Sequence, residues 1–277
     1  MPPARAPLPL RQAIALGLAQ GPTEVLPVSS SAHTSLIPWL RGWSYRTLDA
    51  ERRKGFEIAL HAGSGLALAL EMRGALADGP LRIAATRGLG RLALSVAPPA
   101  VAGLMLRGPI ERGAGPRSIA GGLLAGAAAM ALADARSPRK PRLASEAGAL
   151  DGLALGIAQA LALIPGISRS GATLAAARAR GFGRADAARL SWEAGLPVIV
   201  GASGLEAIRL ARRGVAPEAR GALAAGAVAA FLSTLLAARL TRRARSEGSS
   251  LLPFAAYRSL LAIVVVRRLR SAHNRDG

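Results

Sequence analysis

Six stretches of the chain run for a dozen residues or more without a charged side chain: Gln12 to Thr23, Val25 to Leu40, Leu92 to Leu106, Ser118 to Ala133, Gly152 to Ser168 and Gly221 to Ala238. Apolar and small residues fill them almost continuously, without the strict alternation of a half-buried strand, which predicts buried or lipid-facing helices. A membrane-crossing helix needs about 20 mostly apolar residues, and long charged side chains near its ends can reach back to water. Phe56 to Arg73, Ala187 to Ile208 and Leu251 to Arg267 therefore join the candidates, despite Glu57, Glu193 and Arg258 inside them. The pattern predicts an all-α integral membrane protein, a single polytopic domain over residues 1–277, with about six transmembrane helices and two broken segments. The stretch before Gln20 leads from prolines straight into an apolar run with no separate cleavage region, so no signal peptide is expected there.

The two broken segments are related. Gly17-Leu18-Ala19-Gln20 recurs as Gly156-Ile157-Ala158-Gln159 at an offset of 139, and the register then holds without a gap. Ser29, Ser31 and Thr34 fall on Ser168, Ser170 and Thr173, Val28 falls on Ile167, and Pro27 sits one residue from the position of Pro165. Each copy reads as a helix, a proline break, a serine cluster and a second apolar half. Equivalent interruptions in the two halves of a chain point to an inverted-topology internal repeat with two broken re-entrant helical hairpins, here with repeat 1 at about 10–134 and repeat 2 at about 147–267. Backbone left unpaired by such a break is tolerated only where protein or water covers it.

Composition narrows the class further. Lys and Arg number 36 against 16 Asp and Glu, for a net charge of +20, while 51% of the chain is hydrophobic and only 3% aromatic. With no cysteine, a disulfide scaffold and thiolate chemistry are excluded, and the apolar fraction excludes intrinsic disorder. The basic excess is spread in clusters, as at Arg52-Arg53-Lys54, Arg136 to Arg142, Arg212-Arg213, Arg242-Arg243 and Arg267-Arg268, each between apolar stretches. That distribution suits loops at an anionic membrane surface, and few aromatics exist for base stacking. The expected partner is the bilayer and not nucleic acid. Positive charge in nearly every loop leaves the orientation of the termini undetermined.

The first broken segment, Gln20-Gly21-Pro22-Thr23-Glu24-Val25-Leu26-Pro27-Val28-Ser29-Ser30-Ser31-Ala32-His33, concentrates chemistry in an apolar setting. Gln20 and Glu24 are four apart and share a helix face. A carboxylate between apolar runs is costly unless paired, hydrated or metal-bound, so Glu24 reads as functional, with a helix-end carboxylate at the interface as the plainer alternative. Pro27 stops the helix, and Ser29 to Ser31 supply hydroxyls where a following helix could begin. Three serines by themselves suit a cap. His33, three residues from Ser30, adds a group able to act as base or nucleophile toward an acyl or phosphoryl centre.

The second segment, Pro165-Gly166-Ile167-Ser168-Arg169-Ser170-Gly171-Ala172-Thr173, places one arginine in a broken apolar stretch. A guanidinium there suits phosphate oxygens bidentately; Gly166 and Gly171 let backbone amides approach, and Ser168, Ser170 and Thr173 add donors. A structural ion pair or a snorkelling arginine are the alternatives. If the two repeats face each other, one half brings carboxylate, serine and histidine and the other the cation, as phosphoryl transfer requires.

At these residues the chain resembles the undecaprenyl-diphosphate phosphatase family, the bacitracin-resistance proteins. The likeness is carried by QGPTEVLPVSSSAHTSL and GIAQALALIPGISRSGATLAAARARGF, and extends more weakly through FEIALHAGSGLALAL, LSWEAGLPVIVGA and LLPFAAYRSLL. The resemblance implies a multi-pass hydrolase of the bacterial inner membrane. Its expected reaction converts undecaprenyl diphosphate to the monophosphate carrier lipid used in peptidoglycan synthesis, with a divalent cation, magnesium or calcium, and an active site toward the outer face. A homodimer is compatible with this reading.

Carried over by position, the family's acidic motif falls on Gln20 and Glu24, its serine pair on Ser29 and Ser30, its histidine on His33 and its arginine on Arg169. The implied catalytic set is Ser30, His33, Glu24 and Arg169. Ser29, Ser168, Ser170, Gly166, Gly171 and Thr173 are expected to bind the substrate, and Glu24 and Gln20 the metal. Ser30, His33 or a water activated by Glu24 could each be the nucleophile. The competing class is a polyprenyl-phosphate transporter or flippase using the same anion site, which has no need of a hydroxyl and an imidazole three residues apart. Three positions depart from the family pattern. Gln20 replaces a glutamate in its accepted alternative form. Ala32 stands in place of a glycine and is expected to be strained if that position needs a positive φ. Glu193 replaces an apolar residue, and is expected to line an aqueous cavity, to pair with an arginine, or to mark loosened membrane packing. Glu57 and His61, one turn apart, could touch the site but are expected to support it from behind or to be structural, outside the catalytic set.

Overall fold

The computed structural model describes residues 8–71, 88–136, 140–242 and 248–273. Residues 137–139, Arg243 and Arg73, parts of the basic clusters and candidate spans above, lie outside the described residues. The described chain is helical, and its sole β feature is one bridge between Arg142 and Phe182. The helices are α1 (Leu10–Val25), α2 (Ser30–Arg41), α3 (Ala50–Glu71), α4 (Leu89–Met105), α5 (Arg107–Arg112), α6 (Pro116–Ala135), α7 (Ala149–Leu161), α8 (Arg169–Ala179), α9 (Arg184–Arg213), α10 (Pro217–Leu240) and α11 (Leu252–His273).

Among the described residues, three helices are long and apolar enough to cross a membrane: Pro116–Ala135, Arg184–Arg212 and Pro217–Leu240. About six were expected. The uncharged run from Leu92 forms α4, which like α7 is apolar but shorter. Helix α3 is long enough, but Glu51, Arg52, Arg53, Lys54 and Glu57 crowd its first turns; α11 carries Arg258, Arg267, Arg268 and Arg270.

The two broken segments fold alike. Helix α1 runs through Pro22, where the hydroxyl of Thr23 donates to Ala19 O at 2.7 Å and Gln20 O at 3.1 Å, beside the carbonyl that the proline leaves without its donor. It ends at Val25, and α2 starts at Ser30 after a turn that holds Pro27. Helix α7 ends at Leu161, the chain turns through Pro165 and Gly166, and α8 starts at Arg169 with Ser168 as N-cap accepting from Gly171 N at 3.2 Å. The starts of α1 and α7, and of α2 and α8, are each separated by 139 residues, the offset of the sequence match.

The chain forms two compact units that cut across the two halves. The first comprises Met1–Val25, His33–Met72 and Ile199–Leu240; the second comprises Leu26–Ala32, Arg73–Val198 and Thr241–Gly277. In the first unit α10 packs on both α1 and α3. Small residues make this possible. A Cβ at Gly21 would collide with the backbone of Ser233 and Thr234, and at that approach Ser233 Oγ accepts from Gly21 N at 3.2 Å and donates to Gly17 O at 2.8 Å. Phe56 packs against Gly226, and Thr234 Oγ1 donates to Ser64 Oγ at 3.1 Å. In the second unit α4 packs on α7, α6 on α11, and α8 on both α6 and α7.

The open end of the α7–α8 hairpin is closed by charge. Asp151, last before the uncharged run from Gly152, has a side chain only 3% exposed. It accepts from Arg142 Nη1 and Nη2 at 3.0 and 2.8 Å, from Arg180 Nε at 2.8 Å, and from Gly148 N at 2.9 Å. Burial alone would raise its pKa, but the bonds from Arg142, Gly148 and Arg180 outweigh it and hold the carboxyl at about 2. A carboxyl held low in the folded chain and ordinary in the unfolded one gives stability that is complete above about pH 5 and lost as pH falls toward 2. Asp151→Asn is therefore expected to lower the thermal midpoint at pH 7 by an amount corresponding to about 2 kcal/mol, with the gap to wild type closing between about pH 5 and pH 2. Tryptophan-fluorescence melts in detergent across that range read it directly.

Candidate active site

Gln20 and Glu24 lie one turn apart near the end of α1, in the first unit, and Gln20 Nε2 donates to Glu24 Oε2 at 3.1 Å. Gln20 is fully buried, and its Oε1 has no hydrogen-bond partner among the described residues. An amide oxygen without a donor beside a carboxylate is a pair of hard oxygen ligands, which fits magnesium or calcium and not a softer metal. Among the described residues no three His, Asp or Glu side chains gather to form a cage, so any cation held here must complete its shell with phosphate oxygens and water. Gln159 holds the equivalent place on α7. Its Nε2 donates to Ser95 O at 2.9 Å and Ala194 O at 3.2 Å, and its Oε1 also lacks a partner. The position one turn on is Leu163, however, so the second copy offers no carboxylate.

The turns between the helix pairs both belong to the second unit, which takes Leu26–Ala32 as well as the whole α7–α8 hairpin. Ser170 Oγ donates to Leu26 O at 3.5 Å, and Arg258, fully buried on α11, donates from Nη1 to Pro27 O at 3.3 Å and from Nη2 to Gly166 O at 2.9 Å. The two serine clusters are thus brought into one unit with Arg169. Their local geometry matches: Ser29 and Ser31 hydroxyls lie 3.3 Å apart, those of Ser168 and Ser170 3.1 Å. One difference separates them. Gly166 takes φ +92° and lets the turn press on α6, where a Cβ would meet Ile119 O, whereas in the first turn the positive φ, +76°, falls on Ser29. A non-glycine residue held there stores about 1–3 kcal/mol of strain, directly before the first residue of α2.

That first residue is Ser30, half-buried, with the buried His33 one turn along the same helix. Arg169 is the first residue of α8, so Ser30 and Arg169 occupy equivalent positions of the two copies. A cation at a helix N-terminus is opposed by the helix dipole, and both together favour an anion. Arg169 lies across Gly195 of α9, where a Cβ would collide with its Nη1.

Other expected residues serve packing. Thr173 is fully buried with its hydroxyl 2.6 Å from Ser191 Oγ and 2.9 Å from Arg169 O, so it ties α8 to α9 and is not open to a ligand. Gly171 lies with its backbone against Ser168 and Met130. Glu193 takes the pairing alternative, meeting Arg91 at 3.1 Å and Arg189 at 2.8 Å. Ala32 lies inside α2 and needs no positive φ; the strained residue is Ser29. Glu57 accepts from Tyr45 OH at 3.5 Å, and its carbonyl lies 2.8 Å from His61 Nδ1, a local arrangement within the first unit. Sequence reasoning missed Gly195 and Arg258 as site-building residues; the signal for Arg258 was an arginine in an apolar run, and for Gly195 there was none.

Gly195→Ala is expected to push the Arg169 guanidinium aside and weaken binding of inorganic pyrophosphate about tenfold, approaching Arg169→Ala, with the melting midpoint nearly unchanged. Isothermal titration of the detergent-solubilised proteins measures both.

The chain matches known proteins along most of its length. The family model for the bacitracin resistance protein BacA covers residues 13–264. An undecaprenyl-diphosphatase of Geobacter metallireducens is 39% identical over 90% of this chain and 94% of its own. One from Geobacter sulfurreducens is 39% identical over 94% and 98%, and undecaprenyl-diphosphatase 1 of Rhodospirillum rubrum 37% over 93% and 94%. With helices apolar enough to cross a membrane and a match of this extent, the chain is a membrane protein that belongs to the BacA bacitracin-resistance family.

Proposed function

We propose that the protein is an undecaprenyl-diphosphate phosphatase, hydrolysing undecaprenyl diphosphate to undecaprenyl phosphate and inorganic phosphate for reuse of the carrier lipid in peptidoglycan synthesis. The observation that carries this reading is the match to proteins named undecaprenyl-diphosphatase over at least nine-tenths of both chains. The chemistry of the named residues supports it. Arg169, with Ser29, Ser168 and Ser170, takes the charge of the diphosphate. Ser30 Oγ attacks the terminal phosphorus while the bond to the bridging oxygen breaks, and the lipid monophosphate leaves. His33 accepts the serine proton and then activates the water that releases phosphate from Ser30. Gln20 and Glu24 hold a magnesium or calcium ion, whose chemistry is to neutralise phosphate oxygens and the leaving charge.

The same reading makes the two broken segments re-entrant hairpins of an inverted repeat. Support comes from the shared offset of α1 with α7 and of α2 with α8, and from α6 and α11, which follow at nearly the same spacing. It assigns the protein to the bacterial inner membrane as a multi-pass enzyme, with about six crossings and the site toward the outer face, and is compatible with a homodimer.

The test is phosphate release from detergent-solubilised undecaprenyl diphosphate by purified protein. Release requires magnesium or calcium, is lost on chelation, and falls at least about 100-fold in Ser30→Ala, His33→Ala and Arg169→Ala. A folded wild type that binds the lipid through Arg169 and releases no phosphate would move the assignment to a lipid-phosphate transporter.

A further inference from the structure

Among the described residues Arg258 is the largest side chain that is fully buried, and every nitrogen of its guanidinium is committed to a backbone carbonyl. Nη1 donates to Pro27 O at 3.3 Å, Nη2 to Gly166 O at 2.9 Å and Gly122 O at 3.2 Å, and Nε to Leu123 O at 3.3 Å. Among the described residues it has no carboxylate partner. A buried guanidinium without a counterion is costly in an apolar environment, and an aliphatic residue would fill the volume without that cost. What the aliphatic residue cannot do is satisfy carbonyls that helix breaks have left without partners. The two turn carbonyls are not an arbitrary pair: Pro27 and Gly166 occupy equivalent positions of the two copies, three residues before Ser30 and three before Arg169. A rigid planar fork therefore fixes, from one point on α11 and α6, where both helices α2 and α8 begin. Room for it comes from Gly126, where a Cβ would collide with Nη2.

We propose that Arg258 is a positioning residue for the reaction proposed above, on which this inference rests: it sets the spacing of the Ser30 helix start from the Arg169 helix start, and acts on substrate only through them. Lysine keeps the charge, but its single ammonium cannot span carbonyls on both turns. Gly126→Ala keeps the arginine and displaces it. A misplacement of about 1 Å between nucleophile and anion clamp costs on the order of 100-fold in turnover.

The experiment compares wild type, Arg258→Lys, Gly126→Ala and their combination. Gly121→Ala is the control, because that neighbouring glycine faces open space. Hydrolysis of undecaprenyl diphosphate is measured per folded enzyme, with thermal midpoints alongside. Both single variants are expected to lose about 100-fold in kcat with KM changed less than about threefold, the double variant to be no worse than either, and the control to match wild type. Equal kcat in wild type and in folded Arg258→Lys and Gly126→Ala overturns the proposal, as does a loss that is multiplicative in the double variant.

A second readout is independent of activity. The chain has no cysteine, so Leu26→Cys with Ser170→Cys, whose contact crosses the two turns, can be oxidised to a disulfide in each background. Cross-linking is expected to be rapid with Arg258 in place and slowed at least tenfold in Arg258→Lys or Gly126→Ala. Unchanged cross-linking overturns the spacing role. If wild type proves inactive while cross-linking still depends on Arg258, the phosphatase reading fails and the spacing role stands.

Discussion

A helix that breaks in apolar surroundings releases backbone donors and acceptors that have no water to turn to, and most of what is specific about this protein follows from how those groups are satisfied. At Pro22 the neighbouring Thr23 hydroxyl turns back into the helix. At the second turn Ser168 caps α8, and its partner Ser170 reaches Leu26 O. The remaining turn carbonyls, Pro27 O and Gly166 O, go to Arg258. The arginine and the turns are mutually dependent: without the broken helices the buried guanidinium has no acceptors, and without the guanidinium two helix starts lose their common reference.

Within each unit the helices pack through small residues. Gly17, Gly21 and Gly226 bring α1 and Phe56 onto α10, and Gly152 and Gly156 bring α7 onto α4, at separations that larger side chains would forbid. Close backbone approach replaces the aromatic filling of a soluble core and accounts for a chain with 3% aromatic residues. In the second unit charge is gathered into clusters. Asp134 receives Arg184 and Ser250, and Asp151 receives Arg142 and Arg180, so acidic residues that are few in number anchor the arginine-rich edges of the second unit.

The two segments share their helix starts and differ in the side chains they carry. Gln20 and Gln159 are both buried amides with a spare oxygen, but Glu24 has Leu163 as its counterpart. Ser30 and Arg169 begin equivalent helices, and His33 has Ala172 in its place. Equivalent helix starts thus present a hydroxyl at one turn and a guanidinium at the other.

The sequence by itself determined the helical class, the broken segments and their 139-residue register, because uncharged runs, prolines and hydroxyl clusters act locally and leave a local trace. It also marked Glu193 as out of place in an apolar stretch, with pairing as one of three alternatives, without indicating Arg91, 102 residues away. Only the tertiary structure decided that the compact units cut across the halves, that Ser29 and not Ala32 carries the positive φ, that Thr173 is committed to Ser191, and that Gly195 makes the shelf for Arg169. Arg258 stands between the two. Its place inside an apolar run was legible, but its burial was not, and its acceptors lie 92 to 231 residues away in the chain. Periodicity reports which face of a helix is apolar; which distant carbonyl lies opposite a buried donor is fixed by packing alone.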